Sequence, residues 1–265
     1  MAKITVIGCG TIGSAFTMHW AKDHQVSVIE KNPSRVDTMQ GKVQVFSLKE
    51  IKKALLNAEI VLLAIKPQDL SDSASKITPF IPKNALMISV LAGTSTTMLA
   101  DYFPDIRLMR LIPNNAIVQQ QGVIGMVEPE EITPIEKKQL ETLLHPFGLL
   151  HWLPEDKIDA FTVLTSCNPA YLFTIMETML DAGVHMGLSA HEALPLLLQT
   201  WKGVVAMLSN TKKHPGELKW QVTSPAGMTI AGVRALEKGN LRSAIFETLL
   251  AAYDKGLNLH VKHHQ

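Results

Sequence analysis

The chain has 265 residues, 25 of them Lys or Arg and 24 Asp or Glu, for a formal net charge of +1. Hydrophobic residues make up 46% and charged residues 18%, against about a quarter charged in an average soluble protein. That excludes the disordered class and leaves apolar surface both for a core and for a partner subunit. The near-zero charge offers no general attraction to nucleic acid or anionic lipid, so neither is expected as a partner. Cys9 and Cys167 stand far apart and form no CxxC unit; neither a disulfide scaffold nor a zinc site is suggested, and a reducing cytosol fits. No signal peptide is read at the N-terminus. The uncharged runs at 84–100 and 160–176 are broken by Gly, Ser, Thr, Asn or Pro and fall short of a membrane span. A soluble, cytoplasmic protein of one or two domains is expected.

In chain order, short β-branched runs come first, at 4–7, 26–29, 60–65, 86–90, 106–111 and 122–127, each separated from the next by helical stretches. Runs of this length and texture belong to a parallel sheet covered on both faces, so residues 1–155 are read as an α/β, doubly wound Rossmann-like domain. Beyond Glu155 such strands disappear. Leu, Ala and Met recur at helical spacing through 171–182, 191–209 and 242–257, and residues 156–265 are read as an all-helical domain. The charged, Pro-containing stretch Leu153-Pro154-Glu155-Asp156 is the expected junction.

The first chemical signal is Gly8-Cys9-Gly10-Thr11-Ile12-Gly13, a GxGxxG directly after the first strand and directly before a helix. In that context the first glycine makes the tight turn and the second admits a pyrophosphate. The third lets helix and strand pack, while the unpaired N–H groups of the helix start hold phosphate oxygens. Glu30 ends the second strand, where a carboxylate can accept from a ribose 2′-OH, which favours NADH. Lys31, Asn32 and Arg35 follow at once and would hold a 2′-phosphate if Glu30 turned away, so NADPH stays open. The strand ends Ala64-Ile65-Lys66-Pro67 and Ala92-Gly93 should face the same ligand, because such sheets bind at the carboxyl ends of their strands.

Further on, Ser224-Pro225-Ala226-Gly227-Met228-Thr229 reads as a turn feeding a helix, whose free N–H groups suit a carboxylate. The wider pattern is His214-Pro215-Gly216-Glu217-Leu218, then Val222 to Gly232, then Leu236-Glu237. Together with the glycine turn, Arg110, Pro113-Asn114, Pro169-Ala170-Tyr171, Gly187-Leu188 and Ala251-Ala252-Tyr253, it resembles the pyrroline-5-carboxylate reductase family along nearly the whole chain. The resemblance implies NAD(P)H-dependent reduction of the C=N bond of 1-pyrroline-5-carboxylate to proline, with hydride delivered to C5 of the ring, and homo-oligomers paired through the helical domain. It implies that Thr229 is the catalytic candidate beside the ring nitrogen, that Ser224, Gly227, Met228 and Thr229 bind the substrate, and that Glu155 lies near it. A hydroxyl is a poor acid, so Thr229 would position an iminium or relay a water proton.

The chain also departs from the family pattern. It has Asn115-Ala116 for Thr-Pro, Ser166-Cys167-Asn168 for Gly-Ser-Gly, Ala226 for a glycine, and a bulky Met228. These leave open a relative acting on a different cyclic imino acid or related small acid, and an inactive dinucleotide-binding regulator. The His260-Val261-Lys262-His263-His264 tail reads as solvated rather than metal-binding, and no metal is expected.

Overall fold

The computed structural model describes residues 1–39, 41–129 and 132–262. Contacts divide the chain into two units, Met1–Ser166 with the end of the chain from Lys255, and Cys167–Asp254.

The first unit is built on one eight-stranded sheet: β1 (Lys3–Ile7), β2 (Gln25–Ile29), β3 (Gln44–Phe46), β4 (Ile60–Leu63), β5 (Leu86–Ser89), β6 (Arg107–Pro113), β7 (Gly122–Val127) and β8 (Gly148–Leu153). The spatial order is β3-β2-β1-β4-β5-β6-β7-β8. Every pair is parallel except β6 with β7. That reversal has a simple cause. Residues 114–121 join the two strands, too short a stretch for the crossover that a parallel neighbour needs, so the chain turns back on itself.

Helices α1 (Thr11–Trp20), α2 (Ile51–Ala54), α3 (Leu70–Ile77), α4 (Thr96–Tyr102) and α5 (Pro134–Leu144) cover the sheet. Alternation along the strands splits the buried residues between two cores. Val6, Val28, Leu62 and Ile88 join one; their neighbours Ile7, Ile29, Leu63 and Met87 join the other. Helix α1 buries Gly13, Phe16, Thr17 and Trp20, the i, i+3, i+4, i+7 stripe of a helix that lies on a sheet. Phe16 stacks on Trp20 with ring centres 4.8 Å apart and meets Phe147 edge-on at 4.6 Å.

Strands β3 and β8 escape the sequence pattern. Both are edge strands: β3 has three residues, and β8 alternates half-buried with exposed positions instead of forming a continuous apolar run. From β8 the chain passes through α6 (Ile158–Thr162) and a π-helical turn at Val163–Cys167. Ile158 and the ring of Phe161 pack on Ile112, Val127 and Leu153. The ring sits where a side chain at residue 125 would lie, so only glycine fits there.

The second unit comprises α7 (Asn168–His185), α8 (Ala190–Thr211), α9 (Pro215–Gln221), α10 (Met228–Lys238) and most of α11 (Leu241–Lys262). A cap formed by Ser189 and Glu192 starts α8. Gly183 of α7 faces Ala193 of α8 so closely that a β-carbon added to the glycine would lie 3.3 Å from that of the alanine. Few of this unit's side chains are buried; Phe173, Leu196, Val205, Trp220 and Phe246 are all exposed. Among the described residues no helix is long and apolar enough to cross a membrane. His263 and His264 lie outside the described residues.

Candidate functional site

The glycine-rich turn between β1 and α1 opens onto a cleft of about 530 Å³ at the carboxyl ends of β1, β2 and β4. Gly8, Gly10, Thr11, Ile12, Glu30, Lys31, Arg35, Ala64 and Lys66 line it, together with Gln68 and Asp69 of the 3-10 turn after β4, and Asp72, Ser73 and Lys76 of α3. The three glycines of the turn differ in what they need. Gly8 has φ +94°, and a side chain there would strike the Ala64 carbonyl; one on Gly13 would strike the carbonyl of Gly8. Those two are required by the chain's own packing. Around Gly10 nothing lies within 4 Å of the place a β-carbon would take. No packing demand excludes a side chain at Gly10, which leaves backbone N–H groups exposed to an external occupant of the cleft.

Glu30 is not presented to that cleft as an open carboxylate. Its side chain is 2% exposed. One oxygen accepts the Cys9 backbone N–H at 2.6 Å and the other the Asn32 N–H at 2.8 Å. Arg35 approaches the first of these oxygens at 3.9 Å. Burial pushes the Cys9 thiol up to about 11, so it stays neutral beside this carboxylate. Lys31 is exposed and pairs with Asp69 at 3.0 Å, a surface contact readily exchanged for a better anion. Asn32 folds its side chain onto Ser34, accepting from the N–H at 3.1 Å and the hydroxyl at 2.8 Å. The rim beyond β2 is therefore cationic, with its one buried carboxylate turned inward.

Other residues singled out in the sequence lie elsewhere. Gly13 sits beneath the turn, packed against Gly8. Pro67 opens the 3-10 turn after β4, and Ala92 and Gly93 follow β5, with Gly93 at φ +65°; none of the three lines the cleft. In the helical unit Gly227 caps α10 with an extended backbone and no side-chain cap bond. Ala226 is held at φ +56°, a conformation that favours glycine. A β-carbon on Gly227 would lie 2.3 Å from the Ser224 hydroxyl oxygen, so a side chain there would force that hydroxyl to turn away. Met228 and Thr229 begin the helix on its exposed side, Met228 being 94% exposed.

Glu155 belongs to a third place, the start of the segment after β8. It pairs with Arg110 and accepts the Thr96 hydroxyl at 2.7 Å. Arg110 is buried in the middle of β6, and no hydrogen-bond partner serves its Nε. An arginine inside an otherwise apolar strand, Leu-Met-Arg-Leu-Ile, was the sequence signal for this pair.

The pyrroline-5-carboxylate reductase dimerisation family matches residues 155–259. A second family, described as NADP oxidoreductase coenzyme F420-dependent, matches residues 3–93. The pyrroline-5-carboxylate reductase of Methanosarcina acetivorans is 32% identical and spans 97% of both chains. That of Synechocystis is 31% identical, spanning 97% of this chain and 98% of its own. This chain belongs to the pyrroline-5-carboxylate reductase family. Among solved structures, the family member from Coxiella burnetii is 28% identical with a TM-score of 0.87, covering 97% of this chain and 98% of its own. The Plasmodium falciparum pyrroline carboxylate reductase, solved with NADP bound, shares the fold at a TM-score of 0.86 over 98% of both chains. The sheet and helical units described above are thus the architecture of this reductase family.

Proposed function

We propose that the chain reduces the C=N bond of 1-pyrroline-5-carboxylate to L-proline, with NADPH preferred over NADH. The observation that carries the reading is the open backbone cradle at Gly10, in a turn whose other two glycines are accounted for by packing. Gly10, Thr11, Ile12 and Gly13 would hold the pyrophosphate through backbone N–H groups at the start of α1, while Gly8, whose N–H donates to the Ile29 carbonyl at 2.9 Å, shapes the turn. Lys31, Asn32 and Arg35 would hold a 2′-phosphate. Glu30 already accepts two N–H groups of its own chain and is buried, so it is poorly placed to accept a 2′-OH, the contact on which a preference for NADH would rest. When bound, the nicotinamide supplies the hydride.

The remaining work falls to the chain's own groups. Ala64 and Lys66 line the cleft, and Pro67, Ala92 and Gly93, just beyond β4 and β5, would flank the nicotinamide outside it, at the strand ends where a flat ring can approach. Ser224 through its hydroxyl, and Met228 and Thr229 through the free N–H groups that open α10, would grip the substrate carboxylate; Gly227, whose N–H donates to the Ser224 carbonyl at 3.2 Å, closes the turn beneath it. Ala226 keeps the left-handed step that a glycine would take there, so the turn retains its shape despite the replacement. The Thr229 hydroxyl would hold the proton of the ring nitrogen in line. Because a hydroxyl is a poor acid, its part is orientation of an imine that arrives protonated, or relay of a water proton. Glu155, tied by Arg110 and Thr96, serves in this reading to anchor the chain that leads into the helical unit. The reading makes the protein a cytoplasmic homo-oligomer, its helical unit supplying the apolar contact.

The test is oxidation of NADPH and of NADH with 1-pyrroline-5-carboxylate. Turnover with a lower KM for NADPH is expected. Arg35→Ala should raise the NADPH value by about tenfold, the worth of one charge-assisted bond, and leave the NADH value nearly unchanged. Thr229→Val should lower kcat. Dinucleotide binding without turnover of any cyclic imine would overturn the reading. Met228, bulkier than the family's usual residue, favours one second reading, a different cyclic imino acid as substrate; greater activity on another ring size than on the five-membered one would select it.

A further inference from the structure

Arg110 in β6 and Asn114, the residue directly after that strand, stand four positions apart and reach the two ends of the segment that leads into the helical unit. Arg110 pairs with Glu155. Asn114 is buried; its Nδ2 donates to the Thr165 carbonyl at 3.0 Å, and its Oδ1 accepts the Val123 N–H at 3.1 Å. Between them, Ile112 packs with Ile158 and Phe161 of that segment.

From Glu155 to Thr165 the chain passes through a 3-10 turn at Glu155–Lys157, then α6, and then enters the π turn. That turn occupies Val163–Cys167, at the boundary between the two units.

Asn114 also answers a defect written into the sequence. Thr165 lies four positions before Pro169. Proline has no N–H, so the α-helical bond to the Thr165 carbonyl cannot form, and the Asn114 amide supplies the donor instead. Two motifs far apart in the chain, Pro113-Asn114 and Asn168-Pro169, are thereby one physical device.

We infer that Asn114 is a positioning residue. By holding the Thr165 carbonyl it fixes the π turn and hence the point at which α7 resumes. Turnover of the imino acid depends on that placement, whereas dinucleotide binding, supplied by the first unit alone, does not. The inference rests on the reductase reading above.

The test uses Asn114→Asp, which keeps the shape and the acceptor for Val123 but sets an oxygen against the carbonyl, and the double variant with Pro169→Ala, which restores the missing N–H. Asn114→Asp is expected to lower kcat/KM for pyrroline-5-carboxylate by about tenfold or more, the scale of a misplacement far from the chemistry. The Kd for NADPH, read by fluorescence, should change by less than about twofold, since none of its proposed contacts is touched. Hydrogen exchange across 163–172 should quicken, and Pro169→Ala should reverse both effects. Unchanged turnover, an equal loss of NADPH affinity, or no recovery in the double variant would overturn the inference. If Asn114→Asp does not fold, Asn114→Ser is read by the same measurements and the same outcomes. The exchange measurement needs no substrate. An enzyme that reduces no imine would sink the reductase reading, while unaltered exchange would sink the role of Asn114.

Discussion

Glu136 shows how far local bonding moves one carboxyl group. It accepts the backbone N–H of Thr133 at 2.9 Å, the Thr133 hydroxyl at 2.8 Å and Arg107 at 2.8 Å. These hold its pKa down at about 2, the Thr133 N–H contributing most. A depressed carboxyl pKa adds stability above its ordinary value of 4.5, and that stability is lost as pH falls from there towards 2. Glu136→Gln should therefore flatten the dependence of the urea midpoint on pH across that window. Identical slopes for wild type and variant would refute the assignment. The Thr133-x-x-Glu136 spacing is legible as a capping box, but Arg107 is not, because it arrives from a strand 29 positions away. Glu30 teaches the converse. Its place at the end of β2 is legible, yet the direction of its side chain is decided by the N–H groups of Cys9 and Asn32, which no local pattern reveals.

Among the elements, α1 is the one on which both core and cleft depend. Its inner stripe ends at Phe16 and Trp20, and the indole N–H donates to the Leu143 carbonyl at 3.1 Å. Phe16 is fully buried among Trp20 and Phe147. Phe16→Ala should cost about 3–5 kcal/mol in denaturant unfolding and weaken dinucleotide binding by loosening the helix start. A loss below about 1 kcal/mol, the level of a surface substitution, would mean that the ring does not anchor the helix. Strand β1 and helix α1 could be read from the chain because a fully buried strand is a continuous apolar run and a glycine turn punctuates it. Strand β8 could not, since Gly-Leu-Leu-His-Trp-Leu sits at an edge and alternates. The π turn was equally invisible: the amide that meets the Thr165 carbonyl there comes from Asn114, 51 positions away.

At the scale of the molecule, the α/β and helical halves were visible in the texture of the chain, while the single antiparallel pairing was not, because it follows from the shortness of one connection. The helical unit, with Phe173 69% and Phe246 67% exposed, carries apolar surface of the kind that marks a protein interface, and the family matched there is described by dimerisation. Replacing both rings by glutamate should halve the mass measured by light scattering and reduce turnover with it; an unchanged mass would place the contact on another face. Finally, the bonds from Glu30 to Cys9 and Asn32 fasten the glycine-rich loop before any ligand arrives. A loop so fastened has little disorder left to surrender, so capture of the cofactor is spared much of the entropic toll that a floppy loop would levy.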